Sequence, residues 1–342
     1  MSKRGKYRTA FYWMGISGLI FILFFLSIFY FQKTITQGYK QIVIPRNITE
    51  KQLDNYVRDS LGLYVPGGFS FWASKLGYKP SPSKFVVDNG INFISLLSKL
   101  RKHRGQTVNL VIIPGSNTGK LISTVTSKLL ISKEEFEIFI NDESQLSIFD
   151  VNKYTWPSLF LPNTYNIAMK SGISELFERM QIEKNKFWDS IRISKLQSQS
   201  ISQIETYTIA SIVTKESNKS AEYENIAGVY INRYRRGMKL QADPTLVFIR
   251  GKGGRVYKKD MLLESPFNTY IHKGLPPGPI CIPNINSIDA VLNYSGHQYL
   301  YFCAKDDLSG YHNFAKTYNE HLVNARKFQR KLDKLQKKIG TQ

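Results

Sequence analysis

The alternation of hydrophobic and polar positions is most regular in the middle of the chain, where it predicts a helix. Ser202 and Glu205 have the S-x-x-E spacing of a capping box, which marks the N-terminus of a helix. The apolar residues that follow recur at i, i+3 and i+4 on one helical face: Ile209, Ile212 and Val213. The next position on this face, at i+7, is Glu216. A carboxyl group therefore ends an otherwise apolar stripe.

Glu216 is the first candidate for chemistry. A half-buried carboxylate costs free energy unless it is paired, and desolvation raises its pKa. A glutamic acid that stays protonated near neutral pH can serve as a general acid. On the pattern alone, a single Glu at a helix end is more often a solvated or capping residue than a catalyst, so both interpretations remain open.

A second helix follows the first. Its apolar residues fall at i, i+3, i+4, i+7, i+8 and i+11: Tyr223, Ile226, Ala227, Tyr230, Ile231 and Tyr234. Gly237 is a typical stop at a helix C-terminus. The stretch from Gln241 to Thr245 then predicts a polar turn, and an apolar run to Ile249 comes next.

Several ordered motifs add to this periodicity. The central stretch contains ASIVTKES at Ala210–Ser217 and IAGVYINRYRRGMKLQADPT at Ile226–Thr245. SPFNTY at Ser265–Tyr270 and GLPPGPI at Gly274–Ile280 follow it. In this order and at this length, the motifs resemble those of the endolytic murein transglycosylases, the MltG/YceG-like family. The resemblance extends from about residue 40 to about residue 330.

The chain departs from the family pattern at two positions. Thr214 stands where the family has the first Glu of E-K-E, and Phe267 replaces the Tyr of SPYNTY. The second Glu, which the family uses as its catalytic acid and base, is retained as Glu216. The resemblance therefore assigns the catalytic role to Glu216, and the change at Thr214 bears only on a role for the first Glu.

The resemblance implies an endolytic lytic transglycosylase of peptidoglycan. Such an enzyme cleaves the β-1,4 bond from N-acetylmuramic acid to N-acetylglucosamine within nascent strands, leaves 1,6-anhydromuramic ends and terminates strand elongation. Glycoside hydrolysis normally uses two carboxyl groups. One can suffice here because the C6 hydroxyl of the substrate attacks C1, so that Glu216 protonates the leaving oxygen and then deprotonates that hydroxyl. The alternatives are a lysozyme-type muramidase, which is a hydrolase, and a non-catalytic glycan-binding scaffold.

Further residues of these motifs are candidates for substrate binding through hydrogen bonds to the sugars: Asn232, Gln241, Asp243, Asn268 and Tyr270. Structural roles compete for two of them. Asp243 could instead cap the turn before Pro244, and Asn232 could bond to backbone groups. Asp243 is also a weak candidate for a second catalytic carboxyl group.

The N-terminal region has the pattern of a membrane anchor. An uncharged and mostly apolar run from Phe11 to Phe31 follows four basic residues: Lys3, Arg4, Lys6 and Arg8. Twenty-one residues at helical rise span the hydrocarbon core of a bilayer, and no small-residue cleavage site follows. We expect a retained signal anchor, with a cleaved signal peptide as the alternative. By the positive-inside rule, the N-terminus is cytoplasmic and the catalytic domain periplasmic, on one pass through the cell inner membrane.

Composition and cysteine usage limit the partners. The 342-residue chain is 42% hydrophobic and has a formal net charge of +21, so nucleic acid, anionic lipid or an anionic polymer could bind it. The expected topology argues against nucleic acid, and the resemblance implies peptidoglycan strands and peptidoglycan synthases as partners. Cys281 and Cys303 lie in apolar contexts and could form a disulfide or remain buried thiols. No Cys/His metal spacing is present, so we expect no metal and no cofactor.

These elements predict an α+β fold with four parts. The parts are a cytoplasmic tail (1–10), a transmembrane anchor (11–31), a small LysM-like module with its connector (40–130) and a larger mixed α/β catalytic domain (131–342) that ends in a basic helix. The order strand, helix, helix, strand in the third part resembles the LysM-like module of the family. Its expected role is contact with the glycan.

Overall fold

The structure, a computed structural model, describes residues 3–31, 33, 38–45, 47–103, 105–294 and 296–339. The chain divides into two compact units. Unit 1 comprises Met1–Asn109, Ser127–Leu130 and Asn166–Gly172, and unit 2 comprises Leu110–Thr126, Ile131–Tyr165 and Ile173–Gln342. Residues 1 and 2 of the predicted tail and residues 340–342 of the predicted catalytic domain lie outside the described residues. The domain boundaries proposed from the sequence stay predictions.

Unit 1 contains two antiparallel strands with two helices between them in the sequence, so that the chain order is strand, helix, helix, strand. Its elements are α1 (Lys3–Leu26), a π-helical segment (Ser27–Phe31), β1 (Lys40–Ile44), α2 (Glu50–Leu61), α3 (Phe69–Lys75), β2 (Ser83–Val87) and α4 (Phe93–Lys102). Ile42 of β1 pairs with Phe85 of β2. Thr49 and Gln52 form both bonds of a capping box at the start of α2, as their spacing predicts. Alternate residues of β1 are buried in one cluster with the apolar face of α2.

The N-terminal run that we expected to cross a membrane is divided in the structure. Its first sixteen residues, Phe11 to Leu26, belong to α1, whereas the last five form the π-helical segment. Phe29 of that segment is buried, and its ring packs on those of Trp72 and Phe93 at centroid distances of 5.5 and 4.6 Å. Sixteen residues at helical rise give about 24 Å, less than a hydrocarbon core of about 30 Å.

The expected fold class is therefore wrong in its membrane part. Helices and strands are mixed, but among the described residues no helix is long and apolar enough to cross a bilayer. The same finding contradicts the transmembrane anchor predicted at 11–31 and the single-pass inner-membrane localisation that followed from it. The apolar run predicted one continuous spanning helix, whereas its last five residues leave the α-helix and Phe29 packs on the rings of Trp72 and Phe93.

The other elements, most of them in unit 2, are largely helical. The helices are α5 (Thr118–Lys128), α6 (Lys133–Asn141), α7 (Glu143–Ser147), α8 (Ile173–Phe187), α9 (Ser190–Gln199), α10 (Gln203–Glu216), α11 (Tyr223–Arg235), α12 (Asp243–Arg250), α13 (Ile285–Leu292) and α14 (Tyr318–Ile339). Short 3-10 segments lie at Trp156–Leu159, Ser220–Glu222 and Lys258–Leu262. The strands are β3 (Thr107–Ile112), β4 (Asn163–Ala168), β5 (Tyr301–Ala304) and β6 (His312–Ala315). They form two sheets of two strands, β3 with β4 and β5 with β6.

Helix α10 lies at the centre of the core of unit 2. It begins with the predicted capping box of Ser202 and Glu205, and every residue from Thr206 to Val213 is buried. Helices α11, α12 and α13 pack on it. The helix is thus covered on all sides, whereas the periodicity indicated a single apolar stripe. Ser211 Oγ donates to the carbonyl of Thr208 at 2.7 Å, whereas Thr206 Oγ1 is buried without a hydrogen-bond partner among the described residues.

The proline-rich segment Gly274–Ile280 runs beside α10. The amide of Ile280 donates to Ser211 Oγ at 3.1 Å. A Cβ atom on Gly278 would lie 2.1 Å from the carbonyl oxygen of Tyr154, so only glycine fits at this close approach. The segment therefore forms a fixed wall next to the central helix, in agreement with its proline content.

Thr214, where the chain departs from the family pattern, is bonded to the start of α13. Its hydroxyl accepts a hydrogen bond from the amide of Asn284 at 2.9 Å and shares another with the hydroxyl of Ser287 at 2.7 Å. Both cysteines are free thiols, and Cys281 is buried with its Sγ 3.3 Å from the carbonyl of Ser211. The disulfide left open by the sequence is thus not formed.

Candidate active site

Glu216 is the last residue of α10. Ser217, which follows, has an extended backbone with φ −142° and ψ 147°, so the helix ends there. The side chain of Glu216 is partly exposed and lines a cavity of about 960 Å³ within unit 2. Other residues that line this cavity are Asn117, Thr118, Asp243, Phe248, Lys252 and Arg255. Helix α10 is therefore buried along most of its length, and the carboxyl group of its last residue lines the cavity.

Tyr230 holds one oxygen of this carboxyl group. Its hydroxyl donates a hydrogen bond to Oε1 of Glu216. Tyr230 lies on α11, is only 2% exposed, and packs edge-on against the ring of Phe302 at a centroid distance of 6.0 Å. Because packing fixes the ring, it also fixes the hydroxyl. The other oxygen, Oε2, accepts no hydrogen bond from any side chain or backbone group that the structure describes.

The pKa of Glu216 is raised from its ordinary value of 4.5 to about 7. Burial is the largest cause because it disfavours the charged form, and the negative charge of Asp243 acts in the same direction. The hydrogen bond from Tyr230 and the positive charge of Arg233 oppose this shift by favouring the carboxylate. Both protonation states are thus populated near neutral pH, which suits a group that must both give and take a proton.

Asp243 brings a second carboxyl group to the same cavity. It is the first residue of α12 and is exposed, and the hydroxyl of Tyr270 donates to its Oδ1. Ala242 is the N-cap and Pro244 lies in the first turn, so the stretch predicted as a turn is the start of a helix. Asp243 therefore does not cap this helix, and the helix dipole favours its negative charge.

The segment Ser265–Tyr270 positions the start of α12. The hydroxyl of Thr269 accepts from the amide of Ala242 at 3.0 Å, and the carbonyl of Thr269 accepts from the amide of Gln241 at 3.1 Å. Gln241 has a φ of 51°, in the left-handed region that non-glycine residues rarely adopt, and its side chain is exposed. Two motifs that are separate in sequence thus meet beside Asp243.

Asn268 is fully buried inside that segment. Its Nδ2 donates to the carbonyls of Met261 at 3.1 Å and Leu263 at 2.8 Å, and its Oδ1 accepts from the amide of Tyr270 at 2.9 Å. These bonds satisfy the amide group of the side chain without a ligand. Asn268 therefore acts on the site through the backbone of Tyr270.

Asn232 is also bonded to backbone groups. Its Nδ2 donates to the carbonyls of His297 at 2.7 Å and Tyr299 at 3.0 Å. Of the residues predicted for the site, the structure brings Glu216, Asp243 and Tyr270 into mutual reach. Gln241 is exposed next to Asp243, whereas Asn232 and Asn268 face the protein backbone.

Sequence reasoning missed two residues that act on Glu216. The helical period places Tyr230 on the core face of its helix, and no pattern in the sequence indicates that its hydroxyl meets a carboxyl group. Arg233, at i+3 from Tyr230, is buried and donates to the carbonyls of Leu300 at 2.6 Å and Leu240 at 2.7 Å. These partners are neutral, and no carboxylate among the described residues forms an ion pair with Arg233, so its positive charge is not neutralised by a direct contact.

Comparison with known proteins agrees with the motifs. The model of the YceG-like family matches residues 43–327, and the chain belongs to this family. The family predicted from the motifs is therefore confirmed.

Two relatives carry the same name. An endolytic murein transglycosylase of Bacillus subtilis (strain 168) is 28% identical over 254 residues, which are 69% of this chain and 70% of the relative. One of Streptococcus pneumoniae (strain R6) is 29% identical over 222 residues, which are 60% of this chain and 40% of the relative. The crystal structure of a yceG-like protein from Listeria monocytogenes has a TM-score of 0.55 and 22% identity, with 84% of this chain and 99% of that one covered. This last likeness concerns the fold.

We predict that Glu216→Gln changes the pH dependence of stability. The folded pKa of about 7 lies above the ordinary value of 4.5 expected in the unfolded chain, so the contribution of Glu216 to stability is fully present below about pH 4.5 and is lost as pH rises through about 7. Gln is always neutral and can still accept from Tyr230. The melting temperature of the wild type relative to Glu216→Gln should therefore fall across this window and stay constant above it.

The control for this measurement is Glu224→Gln, which removes an exposed carboxyl group from the first turn of α11. It should show no comparable transition. A constant difference between wild type and Glu216→Gln from pH 4 to pH 8 would contradict the raised pKa.

We predict that Tyr230→Phe moves the pH profile of activity. Phe keeps the packed ring but cannot donate to Glu216, so the pKa of Glu216 should rise further. The alkaline limb of kcat/KM, expected near pH 7 in the wild type, should then shift to higher pH. The loss of alignment should also lower kcat by about tenfold. The measurement is turnover of peptidoglycan strands as a function of pH.

Tyr234→Phe is the matched control. Tyr234 lies one turn further along α11, and its hydroxyl donates to Glu205 Oε1 at 2.6 Å, away from the residues that line the cavity. This variant should lose the hydrogen bond to Glu205, but the alkaline limb of its kcat/KM profile should stay where it is in the wild type. Equal shifts in both variants would mean that Tyr230 has only a structural role.

Proposed function

We propose that this chain is an endolytic lytic transglycosylase of peptidoglycan with Glu216 as its catalytic acid and base. The observation that carries the proposal is a carboxyl group that lines a cavity, is held on one oxygen by Tyr230 and has a pKa of about 7. The names of the relatives, endolytic murein transglycosylase, agree with this activity. Peptidoglycan glycan strands are accordingly the substrate.

The first half-step is protonation of the leaving group. Protonated Glu216 gives its proton to the glycosidic oxygen while the bond from that oxygen to C1 of N-acetylmuramic acid breaks. Positive charge develops at C1. The carboxylate of Asp243 lines the same cavity, and Tyr270 holds it in place, so Asp243 can stabilise that charge.

The second half-step closes the anhydro ring. Glu216, now a carboxylate, takes the proton of the C6 hydroxyl while that oxygen bonds to C1. The enzyme returns to its starting protonation state, and no water is consumed. Because Tyr230 and Arg233 favour the carboxylate whereas burial disfavours it, neither form of Glu216 is a deep energy minimum near neutral pH.

A muramidase is the second candidate, and the position of Asp243 favours it. A second carboxylate in the cavity could activate a water molecule, which would attack C1 in place of the C6 hydroxyl. The two reactions differ in their products. Hydrolysis leaves a reducing muramic end that borohydride reduces, whereas transglycosylation leaves an anhydro end that does not react.

Substrate contacts follow from exposure. Asp243 lines the cavity, the hydroxyl of Tyr270 is bonded to it, and the exposed side chain of Gln241 lies two residues before Asp243 in the chain. We assign these three to sugar binding ahead of Asn232 and Asn268, whose amide groups are bonded to backbone carbonyls. The last two then support the site from behind.

Unit 1 and cellular partners belong to the same proposal. Strands β1 and β2 pair antiparallel, and α2 and α3 lie between them in the sequence. This is the arrangement expected of a LysM-like module that contacts glycan. A role in ending nascent strands implies action beside peptidoglycan synthases. Both assignments are supported by the family resemblance.

We predict that Glu216→Gln abolishes release of anhydro-muropeptides. Gln keeps the size of the side chain but cannot transfer a proton, and one residue serves both half-steps, so the loss should reach at least about 10³-fold. Mass analysis of products from purified protein and peptidoglycan strands gives both rate and end group, and Glu224→Gln should retain activity. A folded Glu216→Gln protein with near wild-type release would falsify the assignment and direct attention to Asp243.

We predict that cells without this protein have longer glycan strands. An enzyme that cuts nascent strands sets their length, and chromatography of strands after removal of the peptides measures it. Restoring the wild type should shorten the strands again, and restoring Glu216→Gln should not. Unchanged lengths in cells that lack any other such enzyme would contradict the role in strand termination.

A further inference from the structure

A glycine-rich loop at the end of α12 is held in one conformation by Arg250. The guanidinium of Arg250 donates to carbonyls of the loop residues that follow it, at distances of 2.8 to 3.3 Å: Lys252, Gly253, Gly254 and Arg255. It also pairs with the buried carboxylate of Asp260 at 3.0 Å. These bonds hold the backbone of the loop in place.

This arrangement leaves two positive charges of the loop uncompensated. Asp260 neutralises Arg250, whereas the side chains of Lys252 and Arg255 make no ion pair or hydrogen bond with any other residue that the structure describes. Both residues are exposed, and both line the same cavity as Glu216. Because the backbone of the loop is already held by Arg250, a ligand bound by these two side chains does not have to order the loop backbone.

Within the cavity, α12 separates Asp243 from the two cations of the loop. Lys215, beside Glu216, also lines the cavity and is bonded to the carbonyl of Gly115. Asp243 is the first residue of this eight-residue helix, and the loop begins directly after its last residue. At a rise of 1.5 Å per residue, the two ends of the helix are about 10 Å apart. An extended peptide covers about 3.4 Å per residue, so this distance corresponds to about three residues of a peptide.

We propose that Lys252 and Arg255 bind a carboxylate of the peptide stem carried by the muramic acid next to the cleaved bond. The inference rests on the proposed function, which places that sugar beside Glu216. A stem that starts at this sugar and extends along α12 brings a carboxylate two or three residues further on to the loop. Arg can bind a carboxylate through two parallel hydrogen bonds, and Lys adds a point charge. The site would thus select strands whose stems keep their free carboxylates.

The test is binding of the full-length Glu216→Gln protein, which does not consume its ligand, to two sets of short strands. One set carries stems with free carboxylates, and in the other set the same carboxylates are amidated. Calorimetry should show about tenfold tighter binding of the free-carboxylate strands. Adding Lys252→Ala and Arg255→Ala should remove this preference and leave the affinity for amidated strands unchanged.

Lys258→Ala with Lys259→Ala is the matched control, because it removes the same charge from exposed residues near the loop that do not line the cavity. It should keep the preference. An equal loss of affinity for both sets in the loop variant, or no loss for either, would overturn the proposal. If the wild-type protein cleaves neither set, the proposed function fails, while the binding comparison still decides on the carboxylate site.

Discussion

Desolvation of the carboxyl group of Glu216 is the constraint on which the rest of the site depends. A carboxylate at the end of a buried helix costs free energy, and that cost raises its pKa to about 7. Tyr230 and Arg233 offset part of this cost because both stabilise the carboxylate form of Glu216. The two residues are three positions apart and therefore lie on one face of α11. Without them, burial would keep Glu216 protonated and leave it unable to act as a base. With stronger compensation, it would lose its proton well below neutral pH and could not act as an acid.

Arg233 stabilises the carboxylate of Glu216 through its charge and not through a direct contact, because its guanidinium is held by other groups. The guanidinium of Arg233 is bonded to the carbonyls of Leu240 and Leu300 and lies 5.2 Å from the ring of Tyr301. These partners hold the charge without neutralising it. A direct ion pair with Glu216 would lower the pKa of that carboxyl group far more. The same arginine also ties α11 to the segments before α12 and before β5, so the electrostatics of the site and the packing of the core share one residue.

The sequence predicted the parts of the fold that depend on neighbouring residues. The capping boxes at Thr49 and Ser202 are formed because their bonds span only three residues. The complete burial of α10 was not predictable, since Thr206, Thr208 and Ser211 are polar and are buried by the helices that pack around α10. The apolar run at the N-terminus was misassigned for the reverse reason. Its composition carries no sign that Phe29 would pack on the rings of Trp72 and Phe93.

Within the site, the helical period was informative only for Glu216. The period placed its carboxyl group at the end of the apolar face of α10, and the family motif agreed. The period could not distinguish Tyr230 from the other tyrosines of α11. A tyrosine that only fills the core and a tyrosine whose hydroxyl bonds a carboxyl group occupy the same positions of the helical repeat. Likewise, the polar side chains of Asn232 and Asn268 looked available for sugars. Asn232 instead donates to backbone carbonyls more than sixty residues further along the chain, and Asn268 to carbonyls five and seven residues before it. The sequence pattern gives no sign of either set of bonds.

The change from Glu to Thr at position 214 has a physical explanation in this framework. The hydroxyl of Thr214 accepts from the amide of Asn284, the N-cap of α13, so this position presents an acceptor to the N-terminus of a helix. A carboxylate there would meet the positive end of the helix dipole and the same amide. Thr keeps the acceptor at lower cost of desolvation and adds a bond to Ser287. Because Thr214 is engaged with α13, and Asp243 is the neighbouring carboxylate that raises the pKa of Glu216, the proton balance at Glu216 does not depend on a second carboxyl group at position 214.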